Sequence, residues 1–550
     1  MDYQALADLL FPNVTETPDS LEERFPLRNA PEGAVITRMA PSPTGFVHLG
    51  NLVQGLTSER MAHQSGGVLF LRVEDTDAKR EVPGAVKVLI ETLKHYGIQF
   101  DEGATIDGDN GLYGPYRQRS RAGIYHVYAK QLVSQGMAYP CFCTEEELSA
   151  MREKQESAKE TTGYYGKYAI WRDRPMTDIQ EALADGKSWV LRFRSTGSIT
   201  NQFKFNDLVK GELTITENDV DHVLLKSDGI PTYHFAHAVD DHLMGTNLVI
   251  RGEEWLPSLP KHLQLFYYLG FKAPKYMHIS QIMRLDENGN KKKLSKRDMG
   301  ANMDDYTRLG YCPEAVCEYV MTLLNSNYEE WRMQNTDKPY TDFPFNIKKM
   351  SVSGCLFDFD KLNDVSKNVI SRMSAEKVAE DVTAWALEFD QPFGQLLAAR
   401  PEMTKEIFAI GRGGKKPRKD LATWRDAKPY MGFFFDEFFE LECDYDEKYS
   451  KEDILGVFDQ FLASFDMADD MNAWFDKIKA IAEANGYTSD MKAYRADPTA
   501  FKGNVADVSM FIRLAVTGKL NAPDMYSVMQ ILGKEKVTER IENMRRRISD

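Results

Sequence analysis

The run Ala40-Pro41-Ser42-Pro43-Thr44-Gly45-Phe46-Val47-His48-Leu49-Gly50-Asn51 sets an imidazole, a glycine and an amide where a helix is expected to begin. A proline-stiffened loop that delivers such groups to a helix start can hold phosphates, because the backbone approaches closely and the first N–H groups carry partial positive charge. A His-x-Gly tripeptide alone is common. Weight comes from a second segment, Lys291-Lys292-Lys293-Leu294-Ser295-Lys296-Arg297, which follows the turn sequence Asp286-Glu287-Asn288-Gly289-Asn290. Taken alone it is a solvated basic loop. Paired with the first segment, it is a lysine loop able to follow a triphosphate into a more charged transition state. A third group, Arg412, Lys415, Lys416, Arg418 and Lys419, puts five cations into eight residues among glycines.

These side chains need elements to carry them. Val35 to Arg38 reads as a strand, the helix begins at His48 and stops at Gly66-Gly67, and Val68 to Glu74 reads as the next strand. Strand, loop, helix, strand is a βαβ unit, whose parallel sheet offers ligand sites at the carboxyl ends of its strands. Between about Gly108 and Glu212 polar helices and the alternating Val190-Leu191-Arg192-Phe193-Arg194 suggest an inserted module. The α/β pattern is expected to resume at Asp221, with strands Leu248 to Arg251 and Met277 to Leu285. Beyond about Met373 the pattern is helical, with Trp424, Tyr430 and Phe433 to Phe435 expected in its core. The fold class is therefore α/β, a split Rossmann-like domain followed by a mostly α-helical region.

Composition sets further limits. The 550 residues carry 68 Lys and Arg against 83 Asp and Glu, a net charge of −15, so any polyanion must meet a local basic patch rather than a basic chain. Six cysteines in this length suggest no disulfide framework. No stretch of eighteen apolar residues occurs, and the first residues lack a basic segment followed by an apolar run. A cytoplasmic protein with no membrane association is expected.

With both segments in view, the chain resembles the bacterial-type glutamyl-tRNA synthetases of the class I aminoacyl-tRNA synthetases. His48-Leu49-Gly50-Asn51 and Lys293-Leu294-Ser295-Lys296-Arg297 are similar to the two class signatures. The likeness continues through Arg72-Val73-Glu74-Asp75-Thr76-Asp77, Tyr113 to Arg119, Leu225 to His234, Val239-Asp240-Asp241-His242 and Arg251-Gly252-Glu253-Glu254-Trp255. The resemblance implies an N-terminal extension at 1–33, a Rossmann-like catalytic domain at 34–110 and 215–300, and an acceptor-end-binding insertion at 111–214. It also implies a stem-contact region at 301–373 and a helical anticodon-binding region at 374–550.

The same resemblance implies the chemistry. Mg·ATP would activate L-glutamate, and the terminal 2′-OH of tRNA(Glu) would take the acyl group. His48, Asn51, Lys293 and Lys296 would act on the phosphates; Gly50, Glu254, Trp255, Leu294 and Ser295 would complete the ATP site. Glutamate carries one ammonium and two carboxylates, so its pocket needs an acid and cationic or hydroxyl donors. Arg38, Ser42, Glu74, Tyr233, His237 and Arg251 are the implied set, with Glu74 toward the ammonium. Two features depart from the pattern: His237 stands where many relatives carry asparagine, and Cys141-x-Cys143 lacks later zinc ligands because positions 168 and 170 are Tyr168 and Ile170. No structural zinc is expected. Arg412 to Lys419 is the expected tRNA contact, and a monomer is expected. A non-discriminating enzyme that also charges tRNA(Gln) stays open; a glutaminyl enzyme is disfavoured by Pro-Ser-Pro-Thr-Gly and Arg-Gly-Glu-Glu-Trp.

Overall fold

The computed structural model describes all residues except Ala78, Arg80, Lys296 and Asp550. The chain forms two compact units, one of Met1–Asp305 with Cys317–Asp358, the other of Tyr306–Val316 with Phe359–Asp550. The segment expected as a separate stem-contact region is thus shared between the two units.

In the first unit the strand Ile36–Met39 is buried along its whole length and runs parallel to Val68–Leu71, with Arg38 opposite Phe70. Val68–Leu71 in turn runs parallel to Glu102–Ala104. Runs buried on both faces are what a parallel sheet covered by helices requires, which is why no polar alternation marks them in the sequence. A second parallel pair, Leu248–Gly252 with Lys275–Ile279, sets Arg251 opposite His278. Asn247 ties the two pairs together: its side chain accepts from the Ile36 amide (2.8 Å) and donates to the Ala34 carbonyl (2.8 Å). The two halves of the split domain are therefore one α/β core, as expected.

The helix Leu49–His63 is buried nearly all round rather than along one stripe. Its start is closed by Asn51, whose side-chain oxygen accepts from the His48 amide at 2.9 Å. Backbone bonds then fasten this loop to a distant segment: Leu49 N–H donates to the Ala301 carbonyl (2.9 Å) and Met303 N–H to the Val47 carbonyl (3.0 Å).

Two strand readings differ from expectation. Met277 to Leu285 is not one strand: Lys275–Ile279 belongs to the parallel pair, whereas Ile282–Leu285 forms an antiparallel hairpin with Lys291–Lys293. The turn is set by Asp286, whose carboxylate accepts from the amides of Asn288 (2.9 Å) and Asn290 (2.8 Å), and by Gly289 at φ +78°. Val223–Leu225, read as a resumption of the α/β pattern, instead pairs with Val190–Phe193, which also pairs with Ala138–Cys141. The other inserted strands, Gln202–Asp207 and Gly211–Thr216, form a two-stranded hairpin. The N-terminal helix Tyr3–Leu10 buries Leu6, Ala7 and Leu10 and packs on the helix Ala122–Ser134.

The second unit is helical. Ala375–Phe389, Lys451–Ser464, Met471–Ala484, Val505–Thr517 and Met525–Ser549 enclose one core that includes Trp424 and Phe433 to Phe435, with Tyr430 packed against it.

Candidate active site

A cleft of about 1480 Å³ opens in the first unit. Its walls bring together Ser42, His48, Gly50, Asn51, Glu74, Tyr233, Glu254, Trp255, Lys293, Leu294 and Ser295, residues spread over more than 250 positions of sequence. Lys296 lies outside the described residues. Arg38, His237 and Arg251 stand behind the wall, all buried.

At one end, the helix Leu49–His63 points its N-terminus into the cleft with Gly50 and Asn51 on the wall, where the positive end of the helix dipole favours an anion. The lysine hairpin faces it. Its exit is shaped by Asp298, whose carboxylate accepts from the Ser295 amide (2.7 Å) and hydroxyl (2.8 Å) and pairs with Arg284 at 2.9 Å. Those contacts lower the Asp298 carboxyl to about 2, so it stays ionised at any working pH.

The other end is a chain of buried charges. Asp241, fully buried, accepts from Arg38 Nε (3.0 Å) and Arg72 Nη1 (2.6 Å), and its second oxygen lies 2.8 Å from His237 Nδ1. These cations hold its carboxyl well below the usual range. Glu74 takes a single bond from Arg72 Nη2 at 3.2 Å; burial dominates and pushes its carboxyl up to about 7. An acid poised in this way, lining a cleft, is ready to be ionised by an incoming cation.

Arg251 is different from Arg38. It is 3% exposed and makes no ion pair with a carboxylate among the described residues. Its partners are neutral: His278 Nε2 (3.0 Å), His262 Nδ1 (3.0 Å), the Trp255 carbonyl at 3.5 Å and the Tyr233 phenol. A buried guanidinium without a counter-charge is costly unless an anion arrives. Tyr233 forms the partition in front of it, its ring 4.5 Å from Trp255 and 5.6 Å from His262. Burial, and after it the Glu74 charge, push the Tyr233 phenol up, while Arg251 and Arg38 pull it down.

His237 is buried with both ring nitrogens on protein partners. Nδ1 meets Asp241 and Nε2 lies 3.0 Å from the Tyr276 hydroxyl, so both nitrogens are spent within the protein. Burial lowers its pKa to about 3 and keeps it neutral. Sequence reasoning missed Asp207, His262 and His278; the first is 71 residues from its partner His278, and no local pattern links them. For Asp241 the available signal is the pair of acids, Asp240 and Asp241, in the last turn of a helix whose preceding residues are largely apolar or aromatic.

Around Cys141 and Cys143, positions 168 and 170 offer neither sulfur nor imidazole. Cys143 Sγ lies 3.6 Å from the Tyr164 hydroxyl, Tyr168 donates to Glu160 (2.7 Å), and Ile170 is 46% exposed. Two thiols and a phenol in an apolar pocket with Ala169 and Trp171 are a poor donor set for zinc.

In the second unit the basic loop divides. Arg412 donates to the carbonyls of Phe408 (2.9 Å), Ile370 (2.5 Å) and Met373 (3.1 Å), and Arg418 is paired with Asp420 at 2.7 Å. Lys415, Lys416 and Lys419 remain exposed. Arg412 is thus a helix-end cap rather than a free cation. Replacing Lys415, Lys416 and Lys419 together by alanine is expected to weaken binding of a nucleic-acid backbone and reduce the slope of log K against log salt by roughly two. Arg412→Ala should leave that slope unchanged and cost about 1–3 kcal/mol of stability by orphaning carbonyls. Filter binding across a salt series and a melting curve check the pair.

With this geometry in place, comparison with known proteins defines the class. Residues 34–364 match the catalytic domain of the class I tRNA synthetases (E and Q), and residues 499–545 match an anticodon binding domain. The chain belongs to the class I tRNA synthetases of the E and Q group. It is 48% identical to the glutamate–tRNA ligase of Acetivibrio thermocellus over 99% of this chain and 100% of that protein. It is 45% identical to the glutamate–tRNA ligase of Clostridium perfringens, covering 98% and 100%. A crystal structure of a glutamate tRNA ligase from Elizabethkingia meningosepticum, in complex with its amino acid, superposes with a TM-score of 0.77 at 28% identity, covering 94% of this chain and 99% of that one. Among the described residues no helix is long and apolar enough to cross a membrane, and no cluster of three or more His, Cys, Asp or Glu could hold a metal ion.

Proposed function

We propose that this protein is a glutamate–tRNA ligase. It converts L-glutamate and ATP, taken as the magnesium complex, to glutamyl-adenylate and pyrophosphate, and passes the glutamyl group to the terminal 2′-OH of tRNA(Glu). The observation that carries the reading is the cleft that holds a helix N-terminus at Gly50 and Asn51 together with the buried acid Glu74 and Tyr233, the last in hydrogen-bond contact with the buried Arg251. The full-length identity to glutamate–tRNA ligases supports it.

The residues then divide the work. Glu74 takes the substrate ammonium; Arg251 and Tyr233 take the side-chain carboxylate; Ser42 and Arg38 orient the α-carboxylate toward the α-phosphorus. No protein nucleophile is needed. The gain comes from alignment and from neutralising charge on the triphosphate. His48, Gly50 and Asn51 hold the phosphates, Glu254 and Trp255 with Leu294 and Ser295 flank the nucleoside, and Lys293 and Lys296 follow the departing pyrophosphate. The inserted region receives the acceptor end and the helical region the anticodon, with Lys415, Lys416 and Lys419 on the RNA backbone. The protein acts as a cytoplasmic monomer, which sedimentation at 62.8 kDa would confirm and a larger species would refute.

Glutamate-dependent ATP–pyrophosphate exchange, run without tRNA, with tRNA(Glu) and with tRNA(Gln), tests the reading. Exchange supported by glutamine in place of glutamate would overturn it, and the tRNA(Gln) arm separates a discriminating from a non-discriminating enzyme. In the same assay Lys296→Ala is expected to lower kcat by about 10²–10³-fold while glutamate binding stays nearly unchanged. Near-normal turnover would remove Lys296 from the mechanism.

A further inference from the structure

Arg251 is held by an unusual set of partners, and the direction of each hydrogen bond can be worked out from chemistry. Asp207 Oδ2 lies 2.7 Å from His278 Nδ1. An ionised carboxylate only accepts, so Nδ1 carries the proton and Nε2 is left with a lone pair. That lone pair faces Arg251 Nε–H at 3.0 Å. On the other side Arg251 Nη1 is 3.0 Å from His262 Nδ1, so His262 accepts there and carries its proton on Nε2, which lies 2.9 Å from His234 Nδ1. The chain Asp207–His278–Arg251–His262–His234 is consistent in only this sense.

We infer that His278 and His262 are positioning residues that grip Arg251 through unprotonated ring nitrogens, so that its whole charge is kept for the substrate's side-chain carboxylate, and that Asp207 fixes the His278 tautomer on which this depends. The inference rests on the ligase reading and extends it to the residues behind the pocket. Arg38 supplies the contrast, because its charge is already compensated by Asp241 at 3.0 Å. A carboxylate in the place of either histidine would hold Arg251 equally well but neutralise it, and an amide substrate such as glutamine would no longer be at a disadvantage. Burial keeps His278 and His262 below their ordinary pKa and hence neutral. Asp207 comes from the inserted hairpin, at the end of the strand Gln202–Asp207. Its neighbour Lys210 on the same turn lies 2.9 Å from the Ser280 hydroxyl and pairs with Glu253, next to Glu254 and Trp255. One turn of the insertion thus braces both the arginine and the nucleoside-flanking loop.

The test uses the full-length protein, measuring KM for glutamate and for ATP in tRNA-supported pyrophosphate exchange, the glutamate-to-glutamine ratio, and glutamate Kd by calorimetry. His278→Leu is expected to raise the glutamate KM and Kd 10- to 100-fold with ATP KM within twofold of the parent. His278→Gln, which restores an acceptor, should recover to within fivefold. His278→Glu should lower the glutamate-to-glutamine ratio at least tenfold with Arg251 intact. Asp207→Asn, nearly isosteric, carries the same test if the leucine variant does not fold, and should raise glutamate KM without moving ATP KM. Glutamate KM within twofold of the parent in both His278→Leu and Asp207→Asn, or a parallel rise in ATP KM, would overturn the inference. A parent that binds glutamate without exchanging would overturn the ligase reading while the Kd comparison among variants still decides the role of His278.

Discussion

Arg251→Gln is expected to lower kcat/KM for glutamate by about 30- to 5000-fold, the equivalent of roughly 2–5 kcal/mol for truncating one partner of a buried charge pair. The effect should fall on glutamate, not on ATP, because Arg251 is proposed for the side-chain carboxylate and contacts Trp255 and Tyr233 rather than the lysine hairpin. Use of glutamine should rise relative to glutamate. The same substitution should also make the ligand-free protein more stable. Arg251 is a buried guanidinium whose protein partners are two imidazoles, a phenol and a carbonyl, so removing it relieves a desolvated charge that no carboxylate among the described residues pairs with. A variant that is both less active and higher melting would locate the cost of specificity in this residue. Unchanged glutamate-to-glutamine preference would show that the side-chain carboxylate is read elsewhere.

The second large effect concerns Glu74. Glu74→Gln is isosteric and cannot neutralise an ammonium, so glutamate activation should fall by about 10²-fold or more. Its stability effect has a definite pH dependence. Burial raises the folded-state carboxyl from 4.5 to about 7. A carboxyl raised in the folded state favours folding below its unfolded pKa, and that contribution is lost as pH rises through the folded value. At pH 5 the wild-type side chain is protonated and the glutamine variant should melt at nearly the same temperature. At pH 8 the wild type holds a buried carboxylate, and the variant should be more stable by a few kcal/mol at most. Glutamate affinity of the wild type should rise with pH up to about 7 and then level, and that slope should vanish in the variant. Melting curves at pH 5 and 8 that show the same difference between the two proteins would contradict the assigned burial of charge.

What could be read from the residues, and what could not, follows the distance over which the information is carried. His48 to Asn51 and Lys291 to Arg297 announce themselves because each is a short run whose chemistry is local. The parallel strands are legible as apolar runs, and the helical third as a change of period. The grip on Arg251 is not legible, because Asp207, His262 and His278 come from three elements and meet only once the sheet register places Arg251 opposite His278. Arg412 looks like a free cation in sequence, yet it caps three carbonyls, since unsatisfied helix ends do not show in composition. The contacts of His237 with Asp241 and Tyr276 are likewise invisible to its position in the sequence. The strand at Ile282 was merged with its neighbour because two apolar runs in succession carry no sign of a change of sheet.

The backbone bonds that fasten Val47 and Leu49 to Ala301 and Met303 bear on how the protein is made. A ribosome finishes the first signature some 250 residues before it produces the segment that anchors it. Until then the N-terminal strands and helix can collapse, but a chain interrupted before Met303 would hold the first signature without its anchor. Pairings this far apart in sequence are slow to form. ATP binding is therefore expected to begin only once the residues on both sides of these pairings have been synthesised. Pulse-labelled nascent chains of graded length, challenged with immobilised ATP, should show retention beginning only after residue 303 has cleared the exit tunnel.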